Sequence, residues 1–472
     1  MNARTVNAPA TIDADVGIVG AGPGGMAAAL RIAEAGLSVV VLDEGSRPGG
    51  QIFRQLPDGF VHANPPAEPP SHDAGHDLLH AISGATVRIE QRATVWDATP
   101  PRGDEPGRLW FEQGSASRLL RCKAIVLAPG ALDRCVPFPG WTLPGVITAG
   151  AAQVMVRGYG IKPGARAVVA GSGPLLLPTV TALASAGVEV VAALEAAPRI
   201  AALRALPGVL RSGARLREAM FYARQLWRTG VKLRFSHAVF AAEGDGRVQR
   251  AVIGRLDRDG NPIRSSAKSV DVDVVCTGYG LVPSIEIGQR LGCKAVWNEA
   301  RGGWHIEALG FGATNVERVF AVGEIAGIGG SEVAIAEGHA AGAMVAGILQ
   351  QRPVMSALRE RATSVRRAAD AMLRAFVVPK GVFSLAADDT IVCRCEDVAA
   401  ASVRDAARLH GDSLRAIKMG CRAGMGPCQG RMCTPNVQPI ATRGSCQQWD
   451  EPVAQVPLKP VRTQTILSAP TK

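Results

Sequence analysis

Aromatic residues are scarce in this chain of 472 residues, at 4%. So few rings leave little for base stacking, and no helix-turn-helix, zinc-finger or RRM signature compensates. The net charge of +11 therefore reads as basic helical surface, concentrated in 199–232 and 352–374, and nucleic acid is not an expected partner. Uninterrupted apolar runs are lacking too. The uncharged stretch from Ala167 to Val188 is broken by Gly171, Gly173, Pro174, Pro178 and Gly187, which predicts strand, turn and buried helix, with no transmembrane segment. Ten cysteines are too few for a disulfide scaffold. Residues 1–14 hold no apolar segment flanked by basic residues, so the expectation is no secretory leader and a cytoplasmic location. None of the eight histidines falls in a pair or an H-E-x-x-H pattern.

What the chain does have is glycine, 54 residues of it, in a background 47% hydrophobic and 20% charged. That composition excludes disorder as the main state and points to tight turns in an α/β protein of two to four domains. From Asp15 the pattern runs strand (Val16 to Val19), glycine turn, helix (Met26 to Ala35), strand (Val39 to Leu42), a parallel β-α-β unit. A second unit from Ala165 to Leu194 repeats it, an internal duplication. Strand-like pieces lie around Val87 to Ile89, Val95 to Trp96 and Ala124 to Leu127. Others span Val231 to Phe240, Val270 to Cys276 and Val319 to Val322; the last precedes a small-residue helix, Ser331 to Leu349. A basic helical linker follows, and the proline-containing tail from Gln447 carries no core pattern.

The first turn reads Gly20-Ala21-Gly22-Pro23-Gly24-Gly25. Gly20 permits the sharp turn, Gly22 lets backbone approach a pyrophosphate, Gly25 lets helix touch strand, and the helix N-terminus favours the anion. Asp43, closing the next strand, stands where a carboxylate meets an adenosine ribose, with Glu44 beside it as the fallback. The second turn, Gly171-Ser172-Gly173-Pro174-Leu175-Leu176, has Glu195 at the end of its following strand. Its third glycine is replaced by Leu176, which leaves an altered site and a working nicotinamide site both open.

Cys122, Cys135, Cys276 and Cys293 stand singly and read as small buried residues. The C-terminal cysteines do not. Cys393-Arg394-Cys395, then Cys421, then Cys428-Gln429-Gly430-Arg431-Met432-Cys433 place two close pairs at the ends of one connecting segment. Four thiolates ligate two irons, two on each; the candidate ligands are Cys393, Cys395, Cys428 and Cys433, with Cys421 spare. Gly424, Gly426 and Gly430 admit backbone N–H groups to sulfur. Zinc or inert thiols are the alternatives on spacing alone.

The order of motifs resembles the two-dinucleotide-binding flavoprotein family over most of the chain. Gly49-Gly50-Gln51 resembles the segment that passes the flavin, Ala128-Pro129-Gly130 the family's Ala-Thr-Gly stretch with proline for threonine, and Val319 to Glu324 its strand-Gly-Asp motif with Gly323 and a longer acid, Glu324. The resemblance implies FAD on the first unit and a second nucleotide domain inserted at about 151–285. The C-x-x-C pair that many relatives carry beside the flavin is missing here. The stretch from Cys421 to Cys433 is similar to the bacterioferritin-associated-ferredoxin-like 2Fe–2S module.

The whole arrangement resembles the α (large FAD) chain of multi-subunit amino-acid dehydrogenases: hydrogen cyanide synthase, opine oxidase, and the D-hydroxyproline or L-proline dehydrogenases. This implies an α/β fold class, two Rossmann-like dinucleotide-binding domains plus a small helical four-cysteine module. The implied boundaries are 1–150 and 286–350 (FAD domain), 151–285 (second domain), 351–389 (helical linker), 390–446 (2Fe–2S module) and 447–472 (extended tail). The implied partners are a D-amino-acid-oxidase-like FAD β subunit and, in some relatives, a small ferredoxin-like subunit. A second flavin (FMN) between subunits, or a nucleotide in the second domain, is implied as well.

The expected function is an electron relay with no catalytic acid or base, fed by C–N bond oxidation in the partner. Membrane association is expected only through the electron acceptor. A self-sufficient NAD(P)H-dependent flavoprotein reductase and a non-enzymatic scaffold with a structural zinc knot are the competing readings. The basic helices and Pro452, Pro457 and Pro460 suit docking; a solvated face and a loose terminus are the plain alternative.

Overall fold

Two sheets, one mixed and one all parallel, each fed by one of the β-α-β units, carry the body of the molecule, which a computed structural model describes for residues 11–61, 65–446 and 448–469. In the first sheet the order is Arg88–Gln91, Val39–Asp43, Thr11–Val19, Ala116–Leu127, Gly107–Gln113, Ala93–Thr99, with Val319–Ala321 added in parallel beside Ala116–Leu127. Val39–Asp43 is apolar through Leu42 and buried from Val39 to Leu42, as a central parallel strand covered on both faces must be.

The helix Pro23–Glu34 follows the glycine turn with proline in its first turn. Its alanine-rich face meets helix Ser331–Gln350 at very short range. A Cβ on Gly338 would lie 2.2 Å from the Gly24 carbonyl, and one on Gly342 2.5 Å from that of Ala28. By length and composition alone Ser331–Gln350 is apolar enough to cross a membrane, yet more than half of its apolar window is buried inside the protein, so its apolarity is that of a core helix.

The second sheet is all parallel: Leu233–Phe235, Glu189–Glu195, Arg166–Gly171, Val274–Gly278, Val146–Thr148. Beside it stands an antiparallel sheet of His237–Glu243, Arg250–Arg255 and Lys268–Asp271. The chain leaves the first sheet through Ala131–Asp133 and returns through Leu281–Pro283, and these two strands pair with each other. Two stretches expected as single strands are each split between sheets. Val231 to Phe240 breaks at Ser236, whose φ of +54° turns the chain while its N–H donates to the Ala197 carbonyl. Val270 to Cys276 breaks before Val274, where the Asp273 carboxylate accepts from the amides of Ala165 and Arg166. Neither break uses glycine or proline, so alternation alone does not reveal it.

The basic linker forms helix Ser356–Leu373, which crosses Ile200–Leu210 so closely that a Cβ on Gly208 would sit 2.6 Å from the Met372 nitrogen. The cysteine module is a small hairpin, Ile391–Cys393 with Val398–Ala399, and helices Ala400–His410, Leu414–Cys421 and Thr434–Ala441. Its apolar residues Val392, Val403, Ile417, Val437 and Ile440 join a cluster shared with Phe138, Trp141, Val382 and Phe383 of the body and linker.

The tail, which carries no core pattern in the sequence, is packed onto the body, so the alternative of a loose terminus falls. Leu458 is buried in the core of the first sheet, its N–H donates to the Trp96 carbonyl at 2.8 Å, and Val461 and Ala469 cover Trp96, Trp110 and Leu119. Those apolar residues are too few and too spaced by proline to register as a periodic element.

Candidate cofactor sites

Gly20 has φ +100°, and a side chain there would place Cβ 2.2 Å from the Ala128 carbonyl; one on Gly25 would lie 1.9 Å from that of Gly20. Both positions demand glycine. Gly22 differs: nothing comes nearer to its would-be Cβ than the Gly50 Cα at 3.9 Å, so one face of the turn is left for a ligand. Gly50, at φ +63°, is itself packed on Gly22, and a Cβ on Gly24 or Gly323 would come within 3.3 Å of Ala334 atoms. Gly130 follows Ala128 and Pro129 with open space around it. The glycines expected from four separate motifs thus surround one crevice at the carboxyl edge of the first sheet, where an open α/β sheet takes its ligand. The geometry fits a dinucleotide.

Asp43 turns toward this turn. Its carboxylate accepts from Ala21 N–H at 2.5 Å and Gly45 N–H at 2.7 Å; burial pushes the carboxyl up and the two amides pull against it. Glu44 is exposed and pairs with Lys459 of the tail at 3.3 Å. Gln51 is exposed and accepts from Arg54. Glu324 folds back, accepting from Gly329 N–H at 2.9 Å and Gly330 N–H at 3.0 Å just before helix Ser331–Gln350, with its carboxyl raised by desolvation.

Arg366 is a residue that the sequence reading missed. From the linker helix its guanidinium grips Glu337 at 2.8 and 2.9 Å and reaches the carbonyls of Gly327 and Ile328, while Glu337 accepts from Gly323 N–H at 2.9 Å. The strand-Gly-Glu turn is braced by this pair, its arginine buried and its glutamate partly so. A signal existed: Arg366 stands on the apolar stripe of its helix with Ala362 and Ala369, an odd place for an unpaired cation.

The second turn is closed. Gly171 is pressed against Gly278, 1.8 Å from that carbonyl to a would-be Cβ. Glu195 is 3% exposed, gives both oxygens to the amides of Gly173 and Ala197, and is pushed up to about 7 by desolvation. The helix starts at Leu176, two residues beyond Pro174, whereas in the first unit it starts at the matching Pro23. Buried Leu176 thus goes with a helix N-terminus set back from the glycines.

In the cysteine module the thiols face each other in two pairs, Cys393 with Cys433 and Cys395 with Cys428. The Cys433 thiol, followed by the amides of Gly424, Glu396 and Cys395, brings Cys393 down to about 5; the same bond pushes Cys433 up. A Cβ on Gly426 would lie 2.2 Å from the Cys395 Cβ, so only glycine lets this loop close on the sulfurs. Among the described residues no group of three or more donors closes to metal-holding distance; two facing pairs with amides on the sulfur are still a donor set that suits two irons. Cys421 is turned away, its Sγ 3.2 Å from the Ile417 carbonyl. Cys122, Cys135, Cys276 and Cys293 are buried and raised by desolvation, the first three to about 12 and the last to about 11.

The loop between Cys428 and Cys433 is held from both sides. Arg431 pairs with Glu286 of the body at 2.7 Å and donates to Leu458 of the tail, and Gln429 donates to the Pro457 carbonyl at 2.5 Å. On the hairpin side the Trp141 indole donates to the Ile391 carbonyl at 2.6 Å, and Arg394 lies 5.2 Å over the same ring.

Residues 14–347 match the family model of pyridine nucleotide-disulphide oxidoreductases, and residues 391–443 match the BFD-like [2Fe-2S] binding domain. The chain belongs to the pyridine nucleotide-disulphide oxidoreductase family. It is an oxidoreductase that binds FAD and a 2Fe–2S cluster, which sets aside the zinc-knot scaffold. Among its relatives it is 31% identical to an opine oxidase subunit of Agrobacterium tumefaciens (strain Ach5), over 97% of this chain and 92% of that protein. It is 30% identical to the hydrogen cyanide synthase subunit HcnB of Pseudomonas aeruginosa, over 88% and 90% respectively. The L-proline dehydrogenase of P. horikoshii shares the fold, with a TM-score of 0.68 at 19% identity over 97% of this chain and 80% of that one.

Proposed function

We propose that this family member is the electron-relay subunit of a heteromeric dye-linked dehydrogenase acting on C–N bonds of amino acids, opines or hydroxyproline. The carrying observation is the double clamp on the cysteine loop, Arg431 to Glu286 on one side and to the tail on the other, which fixes the module against the body. A rigid seat between two cofactor sites serves electron transfer; a merely tethered module would not need one. FAD lies in the first crevice, held by Gly20, Gly22, Gly25, Asp43, Gly50, Gly130 and Gly323, and the cluster is ligated by Cys393, Cys395, Cys428 and Cys433. A bound flavin exchanges electron pairs and single electrons alike, and a 2Fe–2S cluster exchanges one at a time.

The residues of this chain bind, orient and insulate, and no acid or base at the flavin crevice is required of them. Cys135, near Gly130, is buried and held as a thiol, so it offers no dithiol cycle. Substrate oxidation is assigned to a separate flavoprotein subunit of the D-amino-acid-oxidase type, in keeping with relatives whose names are those of subunits.

Anaerobically purified protein tests the proposal. Flavin and two irons per chain are expected, with negligible amine-dependent dye reduction until the companion subunit is added. Cys428→Ser is expected to lose iron and keep flavin, and Cys421→Ser to keep both. Full-speed amine oxidation by the isolated chain, or bleaching by NADH, sinks it.

A further inference from the structure

Gly171, Ser172 and Gly173 of the second glycine turn are buried, and what covers them is the chain itself. After helix Ser356–Leu373 the backbone runs across the carboxyl edge of the second sheet. The Ser172 hydroxyl, in the middle of the turn, donates to the Phe376 carbonyl at 3.2 Å, and a Cβ on Gly173 would lie 3.8 Å from the Phe376 Cβ. Val378, Val382, Phe383 and Leu385 are buried in one cluster with Ala170, Leu194, Ala196 and Tyr279 from the strand ends.

The far side of the segment is pinned as well. Gly381 N–H donates to the Asp259 carbonyl at 3.0 Å, and its would-be Cβ is 2.3 Å from the Asn261 nitrogen. In this fold a dinucleotide lies outside the carboxyl ends of the strands, pyrophosphate over the glycine turn and ribose on the acid. Here a backbone carbonyl meets the turn and the helix N-terminus is set back from the glycines.

We propose that the crevice of the second nucleotide domain is a socket for residues 376–386, that no nicotinamide or adenine dinucleotide enters it, and that its work is to seat the cysteine module, which begins at Ile391. The inference is independent of where the electrons come from. It concerns only the occupant of the second crevice.

The anaerobically purified holoprotein is titrated with NADH, NADPH and ADP-ribose, with binding followed by equilibrium dialysis. No saturable binding below about 1 mM is expected; micromolar binding of any of them overturns the proposal. Hydrogen exchange on the same protein is expected to show amides of 376–386 as protected as those of the cysteine module and unchanged by NADH. Free exchange in that segment overturns it equally. In Gly381→Leu the added side chain meets Asn261, so iron release to a chelator should rise severalfold while flavin content holds; unchanged iron release in a folded variant means that the segment does not seat the module. Should that variant fail to fold, the dialysis and exchange measurements still decide.

Discussion

Gly20 to Gly25 and Gly171 to Leu176 begin from the same strand-turn-helix plan and end in opposite surroundings. In the first, Gly22 keeps a free face and Asp43 stays partly exposed; in the second, Ser172 and Glu195 are 1% and 3% exposed. The acids make matching bonds, each accepting from the turn and from the residue two positions on. What separates the two is therefore not the acid but its cover: a braced opening on one side, an internal segment on the other. A glycine motif states that backbone approaches something closely, and the something can be the protein itself.

The brace is where the contrast breaks most easily. Arg366→Met leaves the partly buried Glu337 without its cation, and about 3 kcal/mol of stability is expected to go, read by urea unfolding together with loss of flavin. The second turn responds to pH instead. The folded protein holds the Glu195 proton more tightly than the unfolded chain, so the stability this proton brings is full at low pH and lost as pH rises from about 4.5 to about 7. Glu195→Gln lacks that loss. Relative to it, the wild type is expected to fall by up to about 3 kcal/mol between pH 4 and 8, checked by thermal unfolding across that range.

Removing the tail's anchor with Leu458→Ala should cost about 2–3 kcal/mol in the same assay and leave the response of the second turn untouched. The smallest effect sharpens the comparison best. Gly173→Ala, at φ +102° with room for a methyl group, is expected to cost about 1–2 kcal/mol and spare the flavin absorbance, whereas Gly22→Ala puts a methyl group on the ligand face and should lower flavin content severalfold with little change in stability.

The parts legible in the sequence are local. Both glycine turns, their acids and the strand before Gly323 each occupy a short stretch with fixed spacing and are found in the element expected of them, while the cysteines close in sequence come together crosswise, Cys393 with Cys433 and Cys395 with Cys428. What was hidden depends on distance along the chain. Arg366 meets Glu337 across 29 positions, Ser172 meets Phe376 across 204 and Arg462 meets Glu112 across 350. No periodicity encodes such meetings. The strand breaks at Ser236 and Asp273 were hidden for another reason, since a backbone N–H at the first and a carboxylate at the second make hydrogen bonds that do the work usually left to glycine and proline.

The strap formed by Leu458, Val461 and Ala469 sets the order in which the protein is finished. The face bearing Trp96, Trp110 and Leu119 is synthesised long before the segment that covers it. Until then the nascent protein carries a sticky indole surface, and a prematurely terminated product keeps that surface for good, marking it for chaperones and proteases although both nucleotide-type folds are already in place.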